Sequence, residues 1–219
     1  ANFGYVAAKS VDEVLQLLSK HGEMAKLLAG GHSLIPAMKL RLASPRTLID
    51  LATVPGLSGV KIEGNNLIIG ALTVHTDVAS SDLVRKHLPG LADTASVIGD
   101  MQVRNRGTIG GSVTHADPAA ELPGVVTALE GRIRIRGGGR ERSAAPSEFF
   151  VGPCSVSLDP VEMVTEITLP PVPPGAGWSF EEVTRRHGDF ALVGVAILLG
   201  IDGPEEVTYA RVGVIGAGP

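Results

Sequence analysis

Two glycine pairs, far apart along the chain, constrain this sequence more than any other feature. Lys26-Leu27-Leu28-Ala29-Gly30-Gly31-His32-Ser33-Leu34 runs out of an apolar stretch into two residues without a Cβ and then a hydroxyl, and Thr108-Ile109-Gly110-Gly111-Ser112 repeats the arrangement. Glycine reaches positive φ and lets a ligand approach the backbone, so amide N–H groups can converge on a phosphate while a Ser or Thr hydroxyl adds a donor. One such loop is ordinarily a turn. Two of them, each read as a strand exit, point to a diphosphate gripped between two lobes, and so to a dinucleotide ligand.

Other phosphate and catalytic patterns are missing. No Gly-x-x-x-x-Gly-Lys-Ser/Thr loop supports a nucleotide hydrolase. The run Val212-Gly213-Val214-Ile215-Gly216-Ala217-Gly218-Pro219 imitates the start of a Rossmann fingerprint but lacks the third glycine, the helix and the later acidic residue, so it is read as a decoy. There is no Gly-x-Ser-x-Gly elbow and no His-Glu-x-x-His helix. Cys154 is the lone cysteine, which excludes an internal disulfide framework, a cysteine-held zinc site and a self-contained iron-sulfur cluster, and it reads as a small, partly buried residue. Nineteen basic against 23 acidic residues leave a net charge of −4, which offers nucleic acid no overall attraction. The longest apolar stretches, such as 191–200, are too short for a membrane span, and no basic-then-apolar leader opens the sequence. A soluble, unexported chain in the cytoplasm is the expectation.

Five Phe, two Tyr and one Trp among 219 residues leave the core to Val, Ile, Leu and Ala. Ser10 and Glu13 form a capping box before an apolar-periodic helix that stops at His21-Gly22. Apolar runs at 25–29 and 47–51 read as strands, closing a first lobe near Pro55. Val60-Lys61-Ile62 and Leu67-Ile68-Ile69 flank hairpin-turn residues, and helices are expected over 75–87 and 91–98. Arg132-Ile133-Arg134-Ile135-Arg136 alternates with period two into a second hairpin, whose arginines read as a solvated face rather than an anion surface. A strand at 162–169 precedes Pro170-Pro171-Val172-Pro173-Pro174-Gly175, the strongest linker signal in the chain. Strands at 178–184, 190–201 and 207–215 follow, with an Asp202-Gly203-Pro204 turn. Asp117, followed by Pro118, reads as a helix cap, and Glu121, one turn on, as a carboxylate able to take hydrogen bonds from sugar hydroxyls. His32 and His115 each adjoin a glycine pair, as candidate contacts to the phosphate or to the edge of the ligand's ring.

Four ordered segments, Ala29 to Arg41, Arg104 to Ser112, His115 to Pro123 and Arg185 to Ala191, resemble the FAD-binding medium subunit of molybdenum hydroxylases. The nearest likeness is to medium subunits of aerobic carbon monoxide dehydrogenases, with xanthine dehydrogenase flavin domains as more distant relatives. The resemblance implies an α+β fold: a two-lobed FAD-binding domain of the vanillyl-alcohol-oxidase/PCMH type, with lobes at 1–55 and 56–172, then a smaller C-terminal α+β domain at 176–219. Family members continue for several tens of residues further, so that last domain is expected to be incomplete and the start to lack a few residues. The implied FAD contacts are Lys26, Leu27, Leu28, Ala29, Gly30, Gly31, His32, Ser33 and Leu34 from the first loop. Thr108, Ile109, Gly110, Gly111, Ser112, Thr114 and His115 come from the second. Asp117 is among the implied contacts and Glu121 would reach the sugar hydroxyls, while Asp189 and Phe190 would close the site beside the isoalloxazine. Leu192 stands where xanthine dehydrogenases tend to place a lysine, which weakens the case for a nicotinamide acceptor. The implied partners are a large molybdenum-pterin subunit and a small subunit with two [2Fe-2S] clusters, in a dimer of heterotrimers that hands electrons to an external acceptor, quinone rather than NAD. Association with the inner face of the membrane is an option for such a complex. No residue of this chain is expected to act as a general acid or base, and no metal is expected in it.

Overall fold

The computed structural model describes residues 2–202 and 206–217. The expected turn at 202–204 and the closing Gly218-Pro219 extend outside the described residues. The chain begins with β1 (Gly4–Ala7), α1 (Val11–His21), β2 (Ala25–Leu28), α2 (Leu34–Lys39) and β3 (Thr47–Asp50). Ser10 caps α1, its hydroxyl accepting from the Glu13 amide at 3.1 Å, and Gly22 at φ 54° ends it. The three strands form a parallel sheet in the order β1-β3-β2. Val14 and Leu18 of α1 pack on it against Ala25 and Ile49, forming a small aliphatic core.

The chain then makes β4 (Val60–Glu63) and β5 (Asn66–Gly70), the expected hairpin. Six helices follow: α3 (His75–Ser80), α4 (Asp82–His87), α5 (Pro89–Val97), α6 (Met101–Arg104), α7 (Ile109–His115) and α8 (Glu121–Ala128). The helix expected over 75–87 is split because Ser81 is extended at ψ 123° and caps α4 through its hydroxyl, which accepts from the Val84 amide. Next come β6 (Arg132–Gly137), β7 (Arg140–Ala144), α9 (Pro146–Phe149), β8 (Phe150–Gly152), β9 (Ser155–Val156) and β10 (Glu162–Leu169). An antiparallel sheet, β4-β5-β10-β6-β7, carries the larger core, in which Leu67, Ile69, Ile133, Ile135 and Ile167 meet Leu91, Ile109, Leu122 and Val125 from the helices. Arg134 pairs with Glu166 at 3.1 Å and Arg136 with Asp12 at 3.3 Å, so these two arginines are committed to ion pairs.

The last strands, β11 (Gly177–Val183), β12 (Val193–Asp202) and β13 (Glu206–Ile215), form an antiparallel sheet. Its strand β12 starts at Val193, not near Phe190 as expected; Leu192 donates its amide to Val183, completing the turn from β11. The sheet rests on α8 and α5: Gly213 lies where a Cβ would stand 2.1 Å from the Gly124 carbonyl oxygen, and Trp178 occupies the space a Cβ on Gly90 would need. Two local expectations are corrected. Cys154 is exposed, at φ 50° in the tight β8–β9 turn, because the loop needs a left-handed residue there and directs its side chain outward. Asp117 does not cap α8, whose N-cap is Ala120; its carboxylate instead accepts from the Ala119 amide at 2.9 Å, closing a turn one step before the helix. No helix among the described residues is long and apolar enough to cross a membrane.

Candidate cofactor site

Strand β2 delivers Ala29–Ser33 onto the segment that leads into α7. A Cβ on Gly30 would stand 2.1 Å from the Arg106 carbonyl oxygen and 3.0 Å from the Gly107 Cα, so only glycine permits this crossing. A Cβ on Gly111 would lie 4.0 Å from that of Ala29. The two glycine pairs, remote in sequence, therefore meet in space.

They meet as different structures. The amides of Gly30, Gly31, His32, Ser33 and Leu34 donate to no protein acceptor among the described residues, and Gly31 is left-handed at φ 76°. Successive free N–H groups in such a bend form a concavity suited to an anion. The second pair is not a strand exit. Gly110 and Gly111 lie in the first turn of α7, capped by Thr108, and the amides of Ile109, Gly110, Gly111 and Ser112 donate to Thr73 O, Ala71 O, Thr108 Oγ1 and Thr108 O. This segment has no amide nest to offer. It brings close approach, since a Cβ on Gly110 would strike Ala71 at 2.5 Å. It also brings the side chains of Ser112 and His115, which share a face of α7, with Thr114 on another.

Two histidines flank the crossing. His32 Nδ1 lies 3.0 Å from the Gly30 carbonyl, which can only accept, so Nδ1 carries the hydrogen and Nε2 is left unprotonated in the neutral ring. His75 begins α3 and is buried, with its amide donating to Gly107 O at 3.0 Å. Its Cδ2–Nε2 edge lies 2.8 Å from where a Cβ of Gly107 would be, and its Nδ1 is buried without a partner. Burial, reinforced by the charges of His32 and Arg104, pushes the imidazole down to about 4, so it is neutral at physiological pH. Arg104 is fixed beside it by donating to the carbonyls of Ile98 and Gly99.

Glu121 opens α8 and is 5% exposed. Burial, with the nearby charges of Glu182 and Asp117, pushes its carboxyl up to about 7. Lys26, Leu27 and Leu28 lie on β2 beneath the first loop, with Lys26 exposed. Asp189 and Phe190 occupy the exposed loop between β11 and β12, which Gly188 seats against Gly99. Sequence reasoning overlooked His75 and Glu182. His75 carries no local signal, whereas Glu182 is a polar residue on the inward-facing row Trp178, Phe180, Glu182 of β11.

The family model that matches the chain, the FAD binding domain in molybdopterin dehydrogenase, spans residues 1–172. This chain belongs to that family. It is 42% identical to the carbon monoxide dehydrogenase medium chain of Hydrogenophaga pseudoflava, over 99% of this chain and 75% of that one. It is 40% identical to the 6-hydroxypseudooxynicotine dehydrogenase complex subunit alpha of Paenarthrobacter nicotinovorans, over 99% and 73%. The structure of carbon monoxide dehydrogenase from H. pseudoflava superposes with a TM-score of 0.95 over 98% of this chain and 75% of that chain. Quinoline 2-oxidoreductase from Pseudomonas putida 86 superposes at 0.94 with 32% identity, over 100% and 75%. The expected α+β fold is therefore that of this family, and the chain is an FAD-binding medium subunit of the molybdenum hydroxylase type, an oxidoreductase component.

Proposed function

We propose that this subunit relays electrons within a molybdenum hydroxylase complex. It takes them from the [2Fe-2S] clusters of a small partner, which receives them from a molybdenum-pterin centre in a large partner, and passes them to an external acceptor, quinone in preference to NAD. Carbon monoxide is the substrate reading favoured by the 42% identity to a carbon monoxide dehydrogenase medium chain. An aromatic heterocycle is the second reading, supported by the structural likeness to quinoline 2-oxidoreductase. In either case the substrate would bind in the large partner, in keeping with a dimer of heterotrimers.

The observation that carries the reading is the set of unused amides from Gly30 to Leu34 lying across Arg106 and Gly107. A dinucleotide diphosphate needs such convergent donors, and the glycine approach leaves room for them to reach it. FAD, when bound, supplies the exchange between one-electron and two-electron carriers. The chain's own task is to hold and orient it. Ser33 and Ser112 would add hydroxyl donors at the diphosphate, and His32, with Nδ1–H committed to Gly30, would offer its accepting Nε2 to a donor at the flavin edge. Glu121 would bond sugar hydroxyls, and Leu34 would line an apolar wall, while Ile109, wholly buried in the core, would hold the second glycine pair in place. Asp189 and Phe190 would cover the flavin from the loop before β12. Exposed Leu192 provides no cation for a nicotinamide phosphate.

Purification under native conditions tests this reading. The expected result is one FAD per chain by absorbance, together with co-purification of an iron-sulfur subunit and a molybdenum subunit. A folded chain devoid of flavin, or an isolated chain that oxidises substrate unaided, would refute it.

A further inference from the structure

Glu182 lies outside the segment covered by the family model, yet the topology carries it back to the candidate site. Across the C-terminal sheet Glu182 registers with Gly194, and Gly194 with Ile215. A Cβ on Gly194 would stand 3.2 Å from the Glu182 Cβ and 2.9 Å from Ile215 Cδ1, so the bare glycine lets its two neighbours close over it. Ile215 in turn fills the space beside Gly124, one turn into α8 from Glu121, and Gly216 donates its amide to Pro118 at 2.8 Å. This register row closes over the first turn of α8. Glu182 belongs to the inward face of β11, with Trp178 and Phe180.

The row brings two acids toward each other. Glu182 Oε2 is buried without a partner, and the Glu121 carboxyl, 5% exposed, is bonded only by its own backbone amide among the described residues. Two ionised carboxylates cannot share a desolvated space without strong repulsion. One proton between them would turn the repulsion into an O–H···O bond and supply the partner that Glu182 Oε2 lacks. Burial raises both groups above the ordinary carboxylate range, and each charge bearing on them fits this arrangement. Asp117 disfavours ionisation of Glu121, while His187 favours it at Glu182, which makes Glu121 the acid and Glu182 the carboxylate. Charges on neighbouring elements are engaged elsewhere: Arg211 of β13 donates to Glu130, Glu148 of α9 accepts from the Ala145 amide, and Asp93 of α5 lines a separate cavity. His115 at the end of α7 is exposed.

We infer that Glu121 and Glu182 form a carboxylic acid–carboxylate pair at the cofactor site, through which the C-terminal sheet takes part in holding the ligand's sugar hydroxyls. A lone carboxylate only accepts. A proton-sharing pair both donates and accepts, which matches hydroxyls that do the same. Glu182 is a positioning residue in this arrangement, acting through Glu121. The inference rests in part on the FAD reading, so its test has one arm that needs no flavin.

In the first arm, infrared spectroscopy of the flavin-free full chain follows the carbonyl band of a buried protonated carboxyl from pH 5 to 9. The band is expected at pH 6 in wild type and absent in Glu121→Gln. In Glu182→Gln it should disappear at a pH lower by about one, since the repelling neighbour is gone. In the second arm, FAD titration by quenching of flavin fluorescence should show wild-type affinity falling about tenfold between pH 6 and pH 8 as the pair loses its proton. Glu121→Gln should abolish that fall, and Glu182→Gln should shift its midpoint downward. A wild-type chain with no protonated-carboxyl band, or a Glu182→Gln chain whose band titrates as in wild type, overturns the pair even if one variant folds poorly. A wild type that shows the band and its predicted shift but binds no FAD leaves the pair intact, overturns its placement at a flavin site and refutes the electron-relay reading.

Discussion

Replacing Glu121 by Gln should make the protein more stable at pH 8 while making it a poorer flavin carrier. In an unfolded chain this carboxyl titrates near 4.5; in the fold, burial and the charges of Glu182 and Asp117 hold it near 7. Between those values the folded state binds more protons than the unfolded state, so stability falls as pH rises through that window. The gap corresponds to about 3 kcal/mol, fully exacted above pH 7 and absent below 4.5. Glutamine has the same shape and no charge to desolvate, so Glu121→Gln should recover most of that amount at pH 8 and little at pH 5. For a chain of this length about 3 kcal/mol corresponds to a rise of roughly 6–12 °C in Tm. Differential scanning calorimetry on the flavin-free protein at pH 5 and pH 8 is the measurement, with FAD affinity measured in parallel. Equal destabilisation at both pH values would show that the carboxylate is satisfied by charge-assisted bonds in the fold, and would remove the argument that it is kept for binding.

His75 should contribute the opposite slope. Its folded value near 4 lies below the unfolded 6.5, so stability is intact above 6.5 and declines by about 3 kcal/mol as pH falls to 4; His75→Gln should flatten that acid limb in a urea-melt series. The two glycines of the second pair should separate by flavin retention. Gly110→Ala places a Cβ 2.7 Å from the Ala71 carbonyl and should lower stability with or without FAD, whereas Gly111→Leu, whose Cβ would stand 2.8 Å from the capping Thr108 Oγ1 and 4.0 Å from the Ala29 Cβ, should lose flavin in addition to lowering Tm. Arg142→Met leaves the buried Glu162, whose carboxyl the Arg142 bond holds down to about 2, with only the Arg140 guanidinium at 3.5 Å and the Asp159 amide at 3.1 Å, and should cost about 1–3 kcal/mol at pH 7 by denaturant titration.

The parts of the fold legible in the sequence were those set by local chemistry. Ser10 and Gly22 bound α1, the Asn-rich turn sets the β4–β5 hairpin, and the alternation from Arg132 to Arg136 survives as β6 because each reports a backbone preference independent of the rest of the molecule. The second glycine pair misled for the converse reason. Two glycines disfavour a helix, but Ala71 approaches α7 so closely that no other residue fits at 110, and packing together with the Thr108 cap outweighs propensity. The first loop was readable as a backbone nest, since free amides follow from a glycine bend after a strand. Neither His75 nor Glu182 could be placed that way: one matters because Gly107 crosses it, the other because a sheet from the far end of the chain lands on α8.

His75 and Glu121 explain each other's persistence. Each is a titratable group buried at an energetic cost, and a core that served stability alone would replace both with apolar residues. Their slopes oppose: as pH rises from 4.5 to 6.5, the contribution of His75 grows while that of Glu121 shrinks by a similar amount. The wild-type curve is therefore flat across a window in which either variant alone is steep, Glu121→Gln gaining with pH and His75→Gln losing. The double variant should be flat again, because the two sites titrate without a shared partner and their effects add. A steep double variant would mean that the two groups are coupled through the glycine crossing, and that the loop and α8 respond to protons as one unit.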